Sequence, residues 1–239
     1  MKARVAFGVA AIFLVALLAA ADDPWKGANY QNWDEKDVKK VLQSSPWGRE
    51  LVTRTVAQSG ENKQRAANST VNRYDTPEQI PAEWVQVVWW SSKTVRRAAL
   101  RKATLKGLKV AEDQAKAFTE SPIDDHTIVV WGDPKTLAAL ARLEPADLKK
   151  VAYLDSPRLK MKIEPTDAGA ERQGDTPPDK IFFKFPRTFN GADTVTPEDS
   201  RLVFKWRLVR NAKEKIDNAQ MFEVVFSPNK MVSSGAADY

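Results

Sequence analysis

A run of basic residues without acidic neighbours is the first feature of this sequence that could carry chemistry. Between residues 93 and 109 every charged side chain is positive: Lys93, Arg96, Arg97, Arg101, Lys102, Lys106 and Lys109. On a helix, Lys93, Arg96, Arg97 and Arg101 share one side, and the opposite side is apolar. This face could bind the phosphates of an anionic polymer by electrostatic attraction. The same pattern also suits a solvated surface helix packed on a sheet.

The chain has one histidine, and it stands beside two carboxylates. His126 follows Asp124 and Asp125 at the start of an apolar segment, "HTIVVWG". A carboxylate pair next to a histidine could bind a divalent ion or orient a general base. A single histidine excludes multi-histidine zinc sites, and no G-x-S-x-G surrounds any serine. We therefore interpret these residues as the entry to a strand and predict no metal site.

Other catalytic arrangements are excluded or left open by the composition. The chain has no cysteine, and it contains neither G-x-x-x-x-G-K nor G-x-G-x-x-G, so thiol chemistry and the common phosphate-binding loops are excluded. We predict no cofactor. Two carboxylates that hydrolyse a polymer come together only in the folded chain, so the sequence leaves such a site open. Glu198–Asp199 is more simply interpreted as a turn.

The basic residues follow a segment that should be a strand. "EWVQVVWW" is rich in β-branched and aromatic residues and is largely apolar on both faces, which predicts a central strand. Ser91 or Ser92 can cap a helix that continues to about Leu105. Lys93, Arg96, Arg97 and Arg101 would therefore lie on a helix that leaves this strand.

The segments before this strand favour helices. Residues 34–44 have apolar side chains at helical spacing, and Pro46 can start a second short helix that carries Trp47, Leu51 and Val52. The nearby aromatic residues Trp25, Tyr30, Trp33 and Trp47 could line a carbohydrate or peptide groove, or could pack these helices onto the sheet.

The last third of the chain favours strands. Residues 201–210 and 222–226 alternate apolar and polar side chains, whereas residues 165–179 have the composition of a flexible surface loop. The whole pattern predicts an α+β fold: a mixed, mostly antiparallel sheet with helices packed on one face, preceded by a helical N-terminal segment. We expect one domain over residues 22–239. A subdivision near residue 165 is the alternative.

The first 21 residues have the features of a secretory signal peptide. Lys2 and Arg4 precede an apolar run from Val5 to Leu18, and three alanines, 19–21, supply a cleavage site. Cleavage there would lower the net charge from +6 to +4, because two basic residues and no acidic ones are removed. We expect an exported protein, periplasmic or extracellular in a bacterium, without a membrane span after cleavage; an uncleaved anchor is the alternative.

Four short motifs resemble a family of uncharacterised exported proteins of soil bacteria. They are "DVKKVLQSSPW", "VVWWSSKTVRRA", "FKFPR" and "KMVSSGAADY". The resemblance covers most of the chain after residue 21 and implies export and a shared fold. It implies no catalytic residue.

These features favour an exported, basic, non-enzymatic protein that binds an anionic partner through Lys93, Arg96, Arg97 and Arg101. The partner would be an anionic polymer or an envelope component, and nucleic acid is disfavoured. A secreted or periplasmic hydrolase that acts on a polymer through carboxylates is the alternative function.

Overall fold

The computed structural model describes residues 23–27, 29–54, 83–173, 176–211 and 213–239. The signal-peptide prediction concerns residues outside these ranges. The α-helices are α1 (Glu35–Ser44), α2 (Lys93–Leu105), α3 (Glu112–Glu120), α4 (Pro134–Leu137) and α5 (Pro145–Lys150). Short 3-10 helices occupy Pro24–Lys26, Tyr30–Asn32, Leu140–Arg142, Ile216–Asn218 and Pro228–Lys230.

The longer strands form two antiparallel sheets. The five-stranded sheet has the order β1 (Gly48–Arg54), β2 (Glu83–Trp89), β3 (His126–Gly132), β7 (Thr176–Phe185) and β6 (Asp167–Gln173). The four-stranded sheet has the order β11 (Gln220–Phe226), β10 (Leu202–Leu208), β4 (Ala152–Ser156) and β5 (Met161–Ile163). Two small ribbons join β8 (Thr188–Phe189) with β9 (Ala192–Asp193), and β12 (Val232–Ser233) with β13 (Ala236–Ala237). The predicted α+β class, with antiparallel sheets and packed helices, is confirmed.

Aromatic side chains join the two sheets face to face. Trp89 of β2 contacts Phe226 of β11, with ring centroids 5.1 Å apart, and Phe183 of β7 contacts Phe204 of β10 at 5.6 Å. All four side chains are fully buried. Large aromatic surfaces of this kind dominate the energy of burial, so this layer forms the centre of the core. Helices α1 and α2 lie near the opposite face of the five-stranded sheet, where side chains of both helices and of β2 line one cavity.

Both sheets draw strands from the two sides of residue 165. Strands β1, β2 and β3 pair in one sheet with β6 and β7, whereas β4 and β5 share the other sheet with β10 and β11. A division of the chain near residue 165 would therefore separate hydrogen-bonded neighbours in both sheets. Within the described residues, no helix is long and apolar enough to cross a membrane.

The helix predicted to begin at Pro46 is wrong, because this segment is strand β1. A tight turn after α1 pairs Ser45 with Gly48, and β1 then runs antiparallel to β2. A Cβ atom on Gly48 would lie 2.5 Å from the Leu42 carbonyl oxygen, so the turn needs glycine at this point. Hydrogen bonding to a strand about 35 residues later in the chain, as in the Leu51–Val85 pair, overrides the local helical spacing.

The prediction of a flexible loop over residues 165–179 is also wrong, because most of this segment pairs as strands β6 and β7. Its polar residues pair across strands: Lys184 contacts Asp167 at 2.9 Å, and Lys180 contacts Glu171 at 3.1 Å. A Cβ atom on Gly169 would lie 2.6 Å from the Phe182 ring. The small and polar residues of this segment, which are typical of a loop, therefore allow the two strands to pack closely and form ion pairs between them.

An aspartate from the end of the sequence caps α2. The Asp238 carboxylate accepts hydrogen bonds from the Ser92 hydroxyl at 2.8 Å and from the backbone N–H groups of Lys93 and Thr94 at 2.7 and 3.0 Å. The Ser92 hydroxyl also accepts a bond from the Val95 N–H, so the predicted serine cap is confirmed. Because the first N–H groups of a helix lack partners within the helix, these contacts fix where α2 begins.

Replacing this carboxylate should destabilise the protein. We expect Asp238→Ala to lower the free energy of unfolding by about 1–3 kcal/mol, because it leaves two backbone donors and the Ser92 hydroxyl without their acceptor. Urea denaturation followed by tryptophan fluorescence measures the change. Asp113→Ala, at an exposed carboxylate in the first turn of α3, is the control. Equal midpoints for the two variants would contradict the capping role.

Candidate functional site

The four predicted anion-binding residues lie on α2, but most of their cationic groups are engaged within the protein. Arg96 is only 4% exposed. One of its terminal nitrogens donates to the carbonyl oxygens of Phe118 and Ser121, at 2.9 and 2.8 Å, at the end of α3. Arg101 donates from Nε to the Trp33 carbonyl at 2.7 Å. These two arginines hold neighbouring segments against α2.

The other two predicted residues share one carboxylate. Arg97 donates from Nε and from a terminal nitrogen to Glu120, at 3.0 and 2.7 Å, and Lys93 lies 3.2 Å from the other oxygen of Glu120. The positive charges lower the pKa of Glu120 against the opposing effect of its burial. This side of α2 is therefore covered by α3 and partly neutralised by Glu120.

The aromatic residues of the N-terminal segment are mainly packing residues. Trp25, Trp33 and Trp47 are buried, and the rings of Trp25 and Trp47 meet edge to face with centroids 5.4 Å apart. Trp47 also donates from Nε1 to the Asp238 carbonyl, at 2.5 Å. These contacts support the interpretation that the tryptophans join the first helical segments to the sheet.

The histidine is buried rather than exposed at a site mouth. His126 is 1% exposed, and its ring lies against Trp89 and Tyr239, with centroids 5.4 and 5.9 Å away. Burial lowers the pKa of His126 to about 3, and the positive charge of Arg187 adds to this effect. Among the described residues, no cluster of histidine and carboxylate side chains could hold a metal ion. His126 therefore serves as a neutral core residue.

A polar row crosses the helix side of the five-stranded sheet. The cross-strand register joins these residues in succession: Glu50, Gln86, Trp131, Lys180 and Glu171. The adjacent row of Gly48, Val88, Val129, Phe182 and Gly169 is small or apolar by contrast. Along the strands, the sheet face beneath α1 and α2 therefore changes from an apolar row to a more polar one.

A cavity of about 260 Å³ lies between α1, α2 and this polar row. Val38 and Leu42 of α1 and Leu105 of α2 supply apolar walls, while Lys102 and Gln86 supply polar groups. Glu35, Lys39, Gln43 and Lys106 complete the lining. The cavity thus combines apolar surface with a small number of polar groups, which is typical of sites that bind small molecules.

Gln86 is the unusual residue of the cavity. The residue as a whole is only 4% exposed, and in the part of the chain that the structure describes no protein group forms a hydrogen bond with its side-chain amide. The amide is not among the fully enclosed polar groups of the described residues, so it is open to the cavity and to water there. A polar group of a ligand could take the place of that water.

Lys102 brings a cation to the same cavity. Its Nζ lies 4.2 Å from the centroid of the Trp131 ring, and no carboxylate of the described residues forms an ion pair with it. Burial lowers the pKa of Lys102, and the positive charges of Lys106 and Lys180 lower it further, although Asp179 acts in the opposite direction. Lys102 is therefore a partly desolvated cation that an anion would stabilise.

The position of Gln86 is unusual in the sequence itself. Gln86 is the one polar residue inside an otherwise apolar and aromatic strand core, "WVQVVWW". A polar residue at such a position needs a partner, or else serves a ligand. Lys102 belongs to the basic run, but its role depends on Trp131 and Lys180, which lie on strands that sequence periodicity cannot place beside it.

The acid stability of the protein should depend on His126. An unfolded histidine binds a proton near pH 6.5 and the folded one only near pH 3, so the unfolded state binds more protons between these values. The contribution of His126 to the free energy of unfolding is fully present above about pH 6.5. It falls by about 1.4 kcal/mol per pH unit as the pH drops toward 3. Urea midpoints at pH 7, 6 and 5 measure this loss. In His126→Phe the slope over this range should disappear, and identical slopes in the two proteins would contradict the assignment.

Lys102 forms no ion pair with a carboxylate of the described residues, so its replacement should affect stability less than the loss of a paired lysine. Lys102→Met keeps most of the apolar stem, removes a partly desolvated charge and also removes the cation-π contact with Trp131. These two effects oppose each other, so we expect the melting temperature to change little. Lys205→Met is the contrasting variant, because Glu223 holds Lys205 at 3.0 Å and raises its pKa. This second change should lower the melting temperature. A larger loss in Lys102→Met than in Lys205→Met would show that Lys102 is structural.

Comparison of the chain with protein-family models, with curated proteins and with solved structures finds no match. The function is therefore inferred from the cavity and its residues.

Proposed function

We propose that this protein is an exported, non-enzymatic binding protein that holds a small amphipathic anion in the cavity between α1 and α2. The observation that carries the proposal is an apolar cavity lined by Lys102, a partly desolvated lysine that forms no ion pair in the described residues. The Gln86 amide opens into the same cavity and has no hydrogen-bond partner among the described protein groups. A ligand with an anionic group and an apolar part can contact both residues and the apolar walls.

The charges around the cavity favour an anion. Lys39, Lys102 and Lys106 line it together with a single carboxylate, Glu35. Lys102 supports this assignment most strongly, because it is partly desolvated and has no ion-pair partner in the described region. We therefore propose that the anionic partner expected from the sequence binds another side of the same helix, through Lys102 and not through Arg96, Arg97 or Arg101.

The walls and size of the cavity favour a small ligand with an apolar part. Val38, Leu42 and Leu105 can contact a hydrocarbon chain or ring. The volume of about 260 Å³ lies below the roughly 300–1,000 Å³ common for drug-sized ligands. A short-chain or aromatic carboxylate fits these properties better than an extended polymer does.

The proposal of export rests on the sequence. Residues 1–21 carry the basic start, apolar run and small residues of a signal peptide, and the chain has no cysteine. A periplasmic or extracellular binding protein would meet small anions released from envelope or environmental material.

Calorimetric titration of the protein lacking residues 1–21 with octanoate tests this function. We expect octanoate to bind and its uncharged counterpart octanamide to bind at least tenfold more weakly. Lys102→Met should weaken octanoate binding by about 10- to 100-fold, because a hydrogen bond to a charged group contributes about 1.5–3 kcal/mol. Gln86→Leu should weaken it by about tenfold.

Lys109→Met is the matched control, because Lys109 is exposed, follows α2 and does not line the cavity. It should bind octanoate like the wild type. Equal affinity of all three variants, or equal binding of octanoate and octanamide, would overturn the proposed function.

A further inference from the structure

We propose that the anion held in the cavity has a hydrocarbon chain longer than that of octanoate, and that the end of this chain lies on the exposed side chains of Val52 and Trp84. This inference rests on the proposed function, since the cavity must first hold the anionic group and the first part of the chain. It adds a second binding surface on the five-stranded sheet. It also names a narrower ligand class, namely unbranched carboxylates of about the length of dodecanoate.

Val52 and Trp84 form an exposed apolar pair on neighbouring strands. Val52 of β1 lies opposite Trp84 of β2 in the register of the sheet, and the two residues are 54% and 48% exposed. In the part of the chain that the structure describes, no other ring and no cation contacts the Trp84 ring. Trp90 and Trp131, by contrast, each contact another ring or a cation. Large apolar side chains that are exposed side by side are typical of a binding surface.

This pair lies on the same sheet face as the cavity. Side chains of a strand alternate between the two faces, so Trp84 shares a face with Gln86, which lines the cavity. The two positions are about 6.8 Å apart along β2, because a strand rises by about 3.4 Å per residue. Val52 stands in the same relation to Glu50, whose carboxylate accepts a hydrogen bond from Gln43 of the cavity lining.

The direction of α2 fits a chain that leaves the cavity toward this pair. The helix follows the end of β2 and returns over the same strand, because Lys102 and Leu105 line the cavity together with Gln86. The step from Lys102 to Leu105 therefore runs in the same direction as the step from Gln86 to Trp84. Leu105 is 37% exposed, so the apolar lining of the cavity reaches the surface on this side. A carboxylate at Lys102 thus leaves room for its chain along Leu105 toward Trp84.

The length of the chain should therefore decide the affinity. Complete burial of one methylene group raises the affinity about fourfold. A chain that lies on an open surface is covered on one side only, so each methylene group contributes less. The additional methylene groups of dodecanoate should then give binding on the order of tenfold tighter than that of octanoate.

Calorimetric titration with octanoate and with dodecanoate tests the inference. We expect the wild type to bind dodecanoate about tenfold more tightly. Trp84→Ser should remove most of this preference and leave octanoate binding unchanged, because octanoate does not reach the exposed pair. Val52→Ser should reduce the preference by a smaller factor, and it decides the question if Trp84→Ser does not fold. Met161→Ser is the control, because Met161 is 40% exposed on β5 of the other sheet, and it should bind both carboxylates like the wild type.

The outcomes separate this inference from the proposed function. If octanoate binds but Trp84→Ser and Val52→Ser keep the full preference for dodecanoate, the extended chain is overturned and the binding function stands. The same conclusion follows if the wild type binds dodecanoate no more tightly than octanoate. If the protein binds neither carboxylate, both proposals are overturned.

Discussion

The capping of α2 by Asp238 is the interaction on which the placement of α2 and of the cavity depends. It joins the end of the described chain to the helix that follows the central strand, through the Ser92 hydroxyl and two backbone N–H groups. The Asp238 carbonyl also accepts the bond from Trp47, just after α1. One residue therefore ties α2 to the segment between α1 and β1. Because both helices are fixed in this way, the cavity between them has a defined shape.

The basic side chains of α2 divide into two groups with different tasks. On one side, Arg96 and Arg97 bind carbonyl and carboxylate groups of α3, and Arg101 binds the Trp33 carbonyl. On another side, Lys102 meets Trp131 and the cavity instead of an acidic partner. A helix whose positive charges look uniform in sequence thus has one side that holds neighbouring segments and another that is available to a ligand. The difference arises because Arg96 and Arg97 face the end of α3, whereas Lys102 faces the five-stranded sheet.

The sequence predicts the elements whose signals are local. Residues 34–44, the strand before Ser91 and the serine cap all lie close to their expected positions. Local spacing predicts a helix where β1 forms, because the conformation of β1 depends on β2, which lies beyond residue 82. The β6–β7 hairpin has the composition of a loop because its polar residues pair across the two strands. In both cases the residues that decide the conformation lie outside the segment itself.

The candidate site follows the same rule, since Gln86, Lys102 and Trp131 come from three elements. Its central claim is that a small anion in the cavity contacts Lys102 and the Gln86 amide, and NMR titration with octanoate tests that claim most directly. The side-chain amide resonances of Gln86 should shift in proportion to saturation, together with the methyl resonances of Leu42 and Leu105. If octanoate shifts only exposed lysines and leaves the Gln86 amide unchanged, the cavity is not the binding site and the account is wrong.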